Sequence, residues 1–295
     1  LLTGRAPFKG VFLNGHILGP DGSRMSKSKG NVIMPEQGVS QFGADAIRQA
    51  VLSLTLGSDF PFKWEPAKYG KGFLQKVWSS VRFAEGFLSD PSYTLEGAQL
   101  EDVDRWMLSR LRETVAKVAE AMEGFQFHIA VDLLQRFYWH DFCDQYIEAV
   151  KPRLYEPQSP ESQRAAKATL YFAIWTFSRL LAPLCPHITE EIFENIFKAR
   201  EGGASIHATA YPRAEEVPEV DGADGAILVK AISDLRTRKV EGKMALSADV
   251  PKARLQADEK TIGVCRRGEW LIKSVLHIGE VEFAVGSYKA EFVVG

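Results

Sequence analysis

The spacing of apolar and polar positions changes character three times along the chain. Residues 8–17, Phe-Lys-Gly-Val-Phe-Leu-Asn-Gly-His-Ile, are β-rich and run into the turn-forming set Gly19-Pro20-Asp21-Gly22, which predicts a strand or hairpin. After a polar Ser/Lys/Gly stretch, Ala46, Ile47, Ala50, Val51 and Leu54 recur over residues 43–56 at the spacing of a helix with one buried face. The opening is therefore a strand, loop, helix unit. Residues 63–200 then form a series of long amphipathic segments. One covers 104–122, with Trp106, Leu108, Leu111, Val115, Val118 and Met122 at three- and four-residue steps and Asp102 placed to cap it. Others cover 127–150, 162–181 and 188–200, the last two separated by Pro183 and Pro186. Several long helices in succession predict a bundle. Beyond a loop at 211–225 come a charged helix through Asp234, Arg236, Arg238 and Lys239, a strand near 253–255, a helix over 258–272, and strands near 275–283 and 290–294. The expected fold class is mainly α, closed by a small α/β unit, with no internal repeat and no low-complexity tract.

Composition changes this picture little. With 45% apolar and 25% charged residues over 295 positions, the chain has ample material for a core, and its length allows two or three domains. No apolar run reaches the roughly 20 residues of a membrane span, so a cytoplasmic protein without membrane contact is expected. Cys143, Cys185 and Cys265 are far apart and odd in number, which suits buried thiols better than disulfides or a metal site. A formal net charge of -2 means that any nucleic-acid contact must come from local patches. The chain opens Leu1-Leu2-Thr3 and enters strand-like sequence at once, which suggests a fragment.

Candidate chemistry is densest in Arg24-Met25-Ser26-Lys27-Ser28-Lys29-Gly30-Asn31. Three cations and two hydroxyls lie within six residues, between Gly22 and Gly30. Point charges, hydroxyl donors and exposed backbone N–H groups together are what a polyphosphate requires. Glycines let such a loop move, so it can grip most strongly when negative charge shifts onto a leaving group. By composition alone a solvated basic turn accounts for the run equally well. The Gly-x-x-x-x-Gly-Lys-Ser/Thr phosphate loop is not met.

The stretch 24–31, preceded by Asn14-Gly15-His16-Ile17-Leu18 and followed by Phe42-Gly43-Ala44-Asp45-Ala46-Ile47-Arg48, resembles the Lys-Met-Ser-Lys-Ser region of class I aminoacyl-tRNA synthetases. Asp104-Arg105-Trp106-Met107-Leu108-Ser109-Arg110-Leu111 is similar to the start of the anticodon-binding helices in the subgroup for branched aliphatic amino acids, and Ala182-Pro183-Leu184-Cys185-Pro186-His187-Ile188-Thr189-Glu190-Glu191 also fits it. The run from Trp139 to Tyr155 resembles the valyl family in particular. The likeness covers roughly residues 1–215, and the remainder matches loosely.

The resemblance implies three parts: the end of a Rossmann-like catalytic domain over 1–62, a helical anticodon-binding domain over 63–215, and a small α/β domain over 216–295. It implies ATP, with Mg2+, and valine as substrates, a valine-specific tRNA as partner, and a monomer. Lys27 matches the lysine that contacts ATP phosphates and stabilises the transition state of adenylation, so it is the expected catalytic residue. Arg24, Ser26, Ser28 and Lys29 are expected to help hold the phosphates, with Arg24 standing where the family has lysine, a change that keeps charge and alters shape. Gly30 and Asn31 are expected to shape the exit of the loop. The family's second signature, His-Ile-Gly-His, has no match before residue 24, and His277-Ile278-Gly279-Glu280 near the end reads as structural. The chain alone is therefore expected not to aminoacylate. Alternatives are an isoleucyl or leucyl fragment, or a non-catalytic RNA-binding module derived from such an enzyme.

For RNA, the candidate phosphate-neutralising residues are Lys63, Lys68, Lys71, Lys76, Arg82, Arg105, Arg110, Arg112, Lys117, Arg136, Lys151 and Arg153, with Arg236, Arg238, Lys239 and Lys243 as a second set, and a merely solvated face accounts for most such charges in both sets. Unstacked bases are held best where aromatic and basic side chains are exposed together. Phe137, Tyr138, Trp139, Phe142 and Tyr146 form an aromatic run, but helical spacing turns most of them into the core. His16 and His187 lack the neighbours that a metal site needs.

Overall fold

A computed structural model describes residues 4, 6–55, 57–88 and 93–293. The first element is short. Ile17–Leu18 (β1) pairs in parallel with Phe60–Pro61 (β2), and Leu18 bridges Arg24 across the Gly19–Ser23 turn. The expected strand over 8–17 is thus confined to its last residue and Leu18. A strand is held by a neighbour that satisfies its N–H and C=O groups, and residues 8–15 pair with no strand among the described residues, leaving Phe8, Val11 and Leu13 more than 70% exposed.

Two helices follow the loop. Pro35–Phe42 (α1), which the spacing did not predict, starts on a proline whose missing N–H costs nothing in a first turn. Ala44–Leu52 (α2) realises the helix expected over 43–56, of which Leu56 lies outside the described residues. Gly43, at φ 89°, makes the corner between them.

The bundle consists of Glu65–Leu88 (α3), Asp102–Glu123 (α4), Phe127–Arg136 (α5), Glu148–Tyr155 (α6), Pro160–Leu181 (α7), Pro186–Ile192 (α8) and Lys198–Glu201 (α9). Between α5 and α6 the helix runs on without a break through a wider, π-type stretch, Phe137–Ile147, and a shorter one, Phe193–Phe197, joins α8 to α9. Helix α4 is capped by Glu101, not Asp102. Asp104 accepts the Glu101 N–H at 2.9 Å, whereas Asp102 lies inside the first turn and pairs with Arg105. The chain turns at Ala182, and Pro186 opens α8, two residues before the expected start.

The last part holds Ala223–Glu241 (α10), a sheet of Val250–Ala257 (β3), Ile278–Val285 (β4) and Lys289–Phe292 (β5) in the order β4-β3-β5, and two short helices, Glu259–Arg267 (α11) and Glu269–Leu276 (α12). Strand β3 pairs in parallel with β4 and antiparallel with β5, so the helices α11 and α12 form the crossover. One helix was expected over 258–272, but Gly268 divides it, and Val275 lies in the last turn of α12 instead of opening a strand. His277 adopts a left-handed cap at φ 53° and Ile278 begins β4, so the His277–Glu280 string is structural. Val294, expected in the last strand, lies outside the described residues.

One apolar core runs through both the bundle and the α/β part, from Phe73 and Leu111 to Leu235, Leu255 and Ala290. Helix α10 crosses α4 so closely that a Cβ on Gly225 would stand 2.0 Å from the Asp102 carbonyl oxygen.

Candidate phosphate-binding loop and nucleic-acid interface

The cationic loop is built by its own backbone and one clasp. Gly22 and Gly30 both take left-handed φ, 74° and 68°, so each end of the loop turns where a side chain would be strained. Between them Lys27–Lys29 forms one turn of 3-10 helix, closed by the Gly30 N–H donating to the Lys27 carbonyl at 3.2 Å. Asn31 ties the two limbs together: its Oδ1 accepts the Ser26 N–H at 2.9 Å and its Nδ2 donates to Ser23 Oγ at 2.9 Å. Its part in shaping the loop exit thus has a geometry. Ser26 and Ser28 share a hydroxyl contact of 2.6 Å.

Electrostatics leave the cations free. Arg24, Lys27, Ser28 and Lys29 are exposed and Ser26 is half-buried, and among the described residues none of the three cations has a carboxylate within ion-pair distance. The nearby acids are occupied elsewhere. Hydrogen bonds from the Ser23 hydroxyl and N–H hold Asp21 below its usual range, and the His16 N–H, donating at 2.7 Å, does the same for Asp59. A loop of cations without ion-pair partners, stiffened at its base and open at its tip, can receive a polyanion without first breaking internal ion pairs.

The expected RNA-contacting cations separate sharply. Arg153 is fully buried: Nη1 and Nη2 donate to the two carboxylate oxygens of Asp104 at 2.8 Å each, and Nε donates to Ser162 Oγ at 3.0 Å. Burial opposes its charge, and the Asp104 carboxylate more than restores it, holding the guanidinium above its ordinary value. Lys239 is buried too, donating to the carbonyls of Leu246, Ala248 and Leu276. Arg112 donates to the Ala214 and Val217 carbonyls and Arg236 to that of Asp144. Arg105, Arg110 and Lys117 are engaged by acids of their own surface. Arg153 and Lys239 build the fold, and their burial corrects their reading as phosphate ligands, whereas Arg105, Arg110 and Lys117 remain partly exposed at the surface.

Of the aromatic run, Phe137, Tyr138, Phe142 and Tyr146 are buried as helical spacing implies. Trp139 stays half-buried at the surface, stacked on Tyr69 with Lys76 Nζ 5.7 Å from its ring centre. Further along the same seam Tyr155 is 64% exposed, set edge-on against Phe87, with Lys151 Nζ 5.9 Å from the ring of Phe83. Tyr155 and Lys151 line a cleft of about 580 Å³ with Glu148, Glu156, Arg236, Lys273 and His277, and Lys151 pairs there with Glu148 at 2.6 Å. Sequence reasoning missed this pairing, because the partners come from α3, α6, α10 and α12 and only the fold brings them together.

A helical bundle with basic and aromatic side chains at its surface is joined here to a loop of exposed cations. The chain belongs to the family of the anticodon-binding domain of tRNA ligases, whose sequence model matches residues 104–254. Residues 1–63 match the tRNA synthetases of class I (I, L, M and V). The chain is 39% identical, over 97% of its length, to the valine--tRNA ligase of Methanothermobacter thermautotrophicus, and 40% identical, over 88%, to that of Pyrococcus abyssi. It covers 32% and 29% of those two relatives, so the chain spans about a third of the length of the proteins it matches. Among solved structures it resembles LeuRS of Agrobacterium radiobacter K84, determined as a ternary complex with tRNA and LeuAMS, with a TM-score of 0.54 and 24% identity over 70% of this chain and 24% of that one. That likeness concerns the fold.

Proposed function

We propose that the chain is part of a valine--tRNA ligase, in which its loop serves the activation of valine by ATP and its bundle binds the valine-specific tRNA. The observation that carries the proposal is the loop of unpaired, exposed Arg24, Lys27 and Lys29 hinged on two left-handed glycines. In adenylation the valine carboxylate attacks the α-phosphorus of ATP, a P–O bond forms, and the bond to the β-phosphate breaks, so negative charge gathers on departing pyrophosphate. Lys27 is the catalytic cation for that charge, and Arg24, Ser26, Ser28 and Lys29 hold the phosphates around it. Mg2+ is expected to accompany the triphosphate. The division into a catalytic end over 1–62, a bundle over 63–215 and an α/β part over 216–295 belongs to the same reading, as do a monomeric state and a cytoplasmic setting. No helix among the described residues is long and apolar enough to cross a membrane.

The test is Lys27→Ala in the full-length ligase, followed by valine-dependent adenylate formation. The rate is expected to fall about 100- to 1000-fold with ATP affinity changed only a few-fold, the pattern of an interaction made in the transition state. Equal losses in rate and affinity would remove Lys27 from that role, and an unmutated enzyme that forms no valyl adenylate would return the chain to the reading of a non-catalytic RNA-binding module.

A further inference from the structure

Two stretches 136 residues apart in sequence meet on helix α2. Asp45, only 6% exposed, accepts the His187 N–H at 3.2 Å on one carboxylate oxygen and the Ile188 N–H at 2.7 Å on the other, at the first turn of α8. One turn further along α2, Arg48 donates from Nε to the Leu184 carbonyl at 3.2 Å and from Nη2 to the Pro183 carbonyl at 3.0 Å, just beyond the end of α7. The charges complement the helices they face: the carboxylate meets the free N–H groups of a helix start, the guanidinium meets the free carbonyls after a helix end. Helix α2 is reached from the cationic loop through α1 and the Gly43 corner. The clamp therefore joins the second helix after the loop to the turn between α7 and α8.

We propose that Asp45 and Arg48 are positioning residues for aminoacyl transfer: they keep the phosphate-binding loop and the RNA-binding bundle in one frame, so that a tRNA held by the bundle presents its acceptor end to the adenylate made beside the loop. The proposal rests on the reading of the chain as part of a valine--tRNA ligase. Neither side chain touches ATP, valine or RNA. Adenylation takes place within the catalytic part on two small substrates and uses no RNA held by the bundle. Transfer requires loop and bundle together.

In the full-length ligase, Arg48→Met and Asp45→Asn are to be compared with the unmutated enzyme in two reactions, tRNA-free ATP–pyrophosphate exchange and aminoacylation of a valine tRNA transcript. Arg48 is exposed and Asp45→Asn keeps its shape, so both variants are expected to fold. The aminoacylation kcat is expected to fall about 10- to 100-fold, as small misplacements of reacting groups do, while exchange and the KM for tRNA stay within about twofold. Arg48→Lys, which keeps the charge near the carbonyls, is expected to recover part of the loss. A parallel fall in exchange, aminoacylation and thermal midpoint would reduce the clamp to a folding contact and overturn the proposal, as would unchanged aminoacylation. Failure of the unmutated enzyme to charge the transcript would sink the parent reading and this one with it, and shows in the control.

Discussion

Arg153 and Asp104 form a buried ion pair whose remaining capacity is filled by Ser162 and by Tyr146, which donates its hydroxyl to Asp104 at 2.9 Å. Removing one partner strands the other charge in the interior. Arg153→Met is therefore expected to lower stability by about 3–5 kcal/mol, whereas Arg153→Met with Asp104→Asn recovers part of that loss, since the stranded charge is gone while an amide oxygen stays to accept from Tyr146. Urea unfolding of the two variants checks this, and equal losses would refute it. The position of Arg153 was legible after all: Phe142, Tyr146, Val150 and Arg153 recur at helical steps, so the arginine sits on the stripe that enters the core. Lys239 follows Leu228, Ile232 and Leu235 in the same way. Side-chain charge suggested surface, and periodicity suggested interior; periodicity prevailed because each charge found enough acceptors inside. Exposed Tyr155 is the opposite case. Tyr155→Ala is expected to weaken tRNA binding by about 1–3 kcal/mol, the worth of one stacked base, while Lys151→Ala lowers the salt slope by about one. Filter binding across a salt series measures both, and unaltered affinity in Tyr155→Ala would remove the aromatic from the interface.

At the level of elements, glycine marks where helices touch and where they do not. A Cβ on Gly225 would lie 2.0 Å from the Asp102 carbonyl oxygen and 2.5 Å from Trp106 Cβ, so Gly225→Ala must push α10 off α4. A loss of about 2–3 kcal/mol is expected, at the upper end of overpacking costs because the obstacle is backbone. Gly72, within α3, meets nothing within 4 Å, and Gly72→Ala is expected to stabilise by about 0.5–1 kcal/mol through helix propensity. Opposite shifts of the urea midpoint confirm the pair; a destabilised Gly72→Ala would show that the face is covered. Most helices were legible from their 3.6-residue period, and their ends from proline and glycine. The strand over 8–17 was not, because β-rich composition marks a residue's preference and only a neighbouring strand makes it a ladder. The π-type winding of Phe137–Ile147 left no trace in the periodicity, as the aromatic stripe remains continuous through it.

For the molecule as a whole, the interior holds several groups that resist ionising. Burial raises the thiols of Cys265 to about 11 and of Cys143 to about 12, and Cys185 further, while the Tyr138 and Tyr146 phenols are pushed up by the same cause. Folded values above unfolded ones mean that these groups support the fold fully below their ordinary ionisation, about pH 8.5 for thiols and 10 for phenols, and that the support is lost as pH rises toward the folded values. Stability is thus expected to decline from about pH 8.5 upward, and all three thiols to stay unlabelled by an alkylating reagent at pH 8 until denaturant is added. Rapid labelling of Cys143 in the native protein would contradict its burial.

The seat of α10 on α4 also governs how the protein can be divided for laboratory work. Trp106 and Leu228 contribute to a single interior shared by the two parts, and Gly222 and Gly225 bring the helices within backbone contact. A chain cut after residue 215 would carry that apolar groove into solvent, and recombinant material of this length is expected to clump or recruit chaperones, whereas material that keeps the whole α/β part is expected to leave the groove covered.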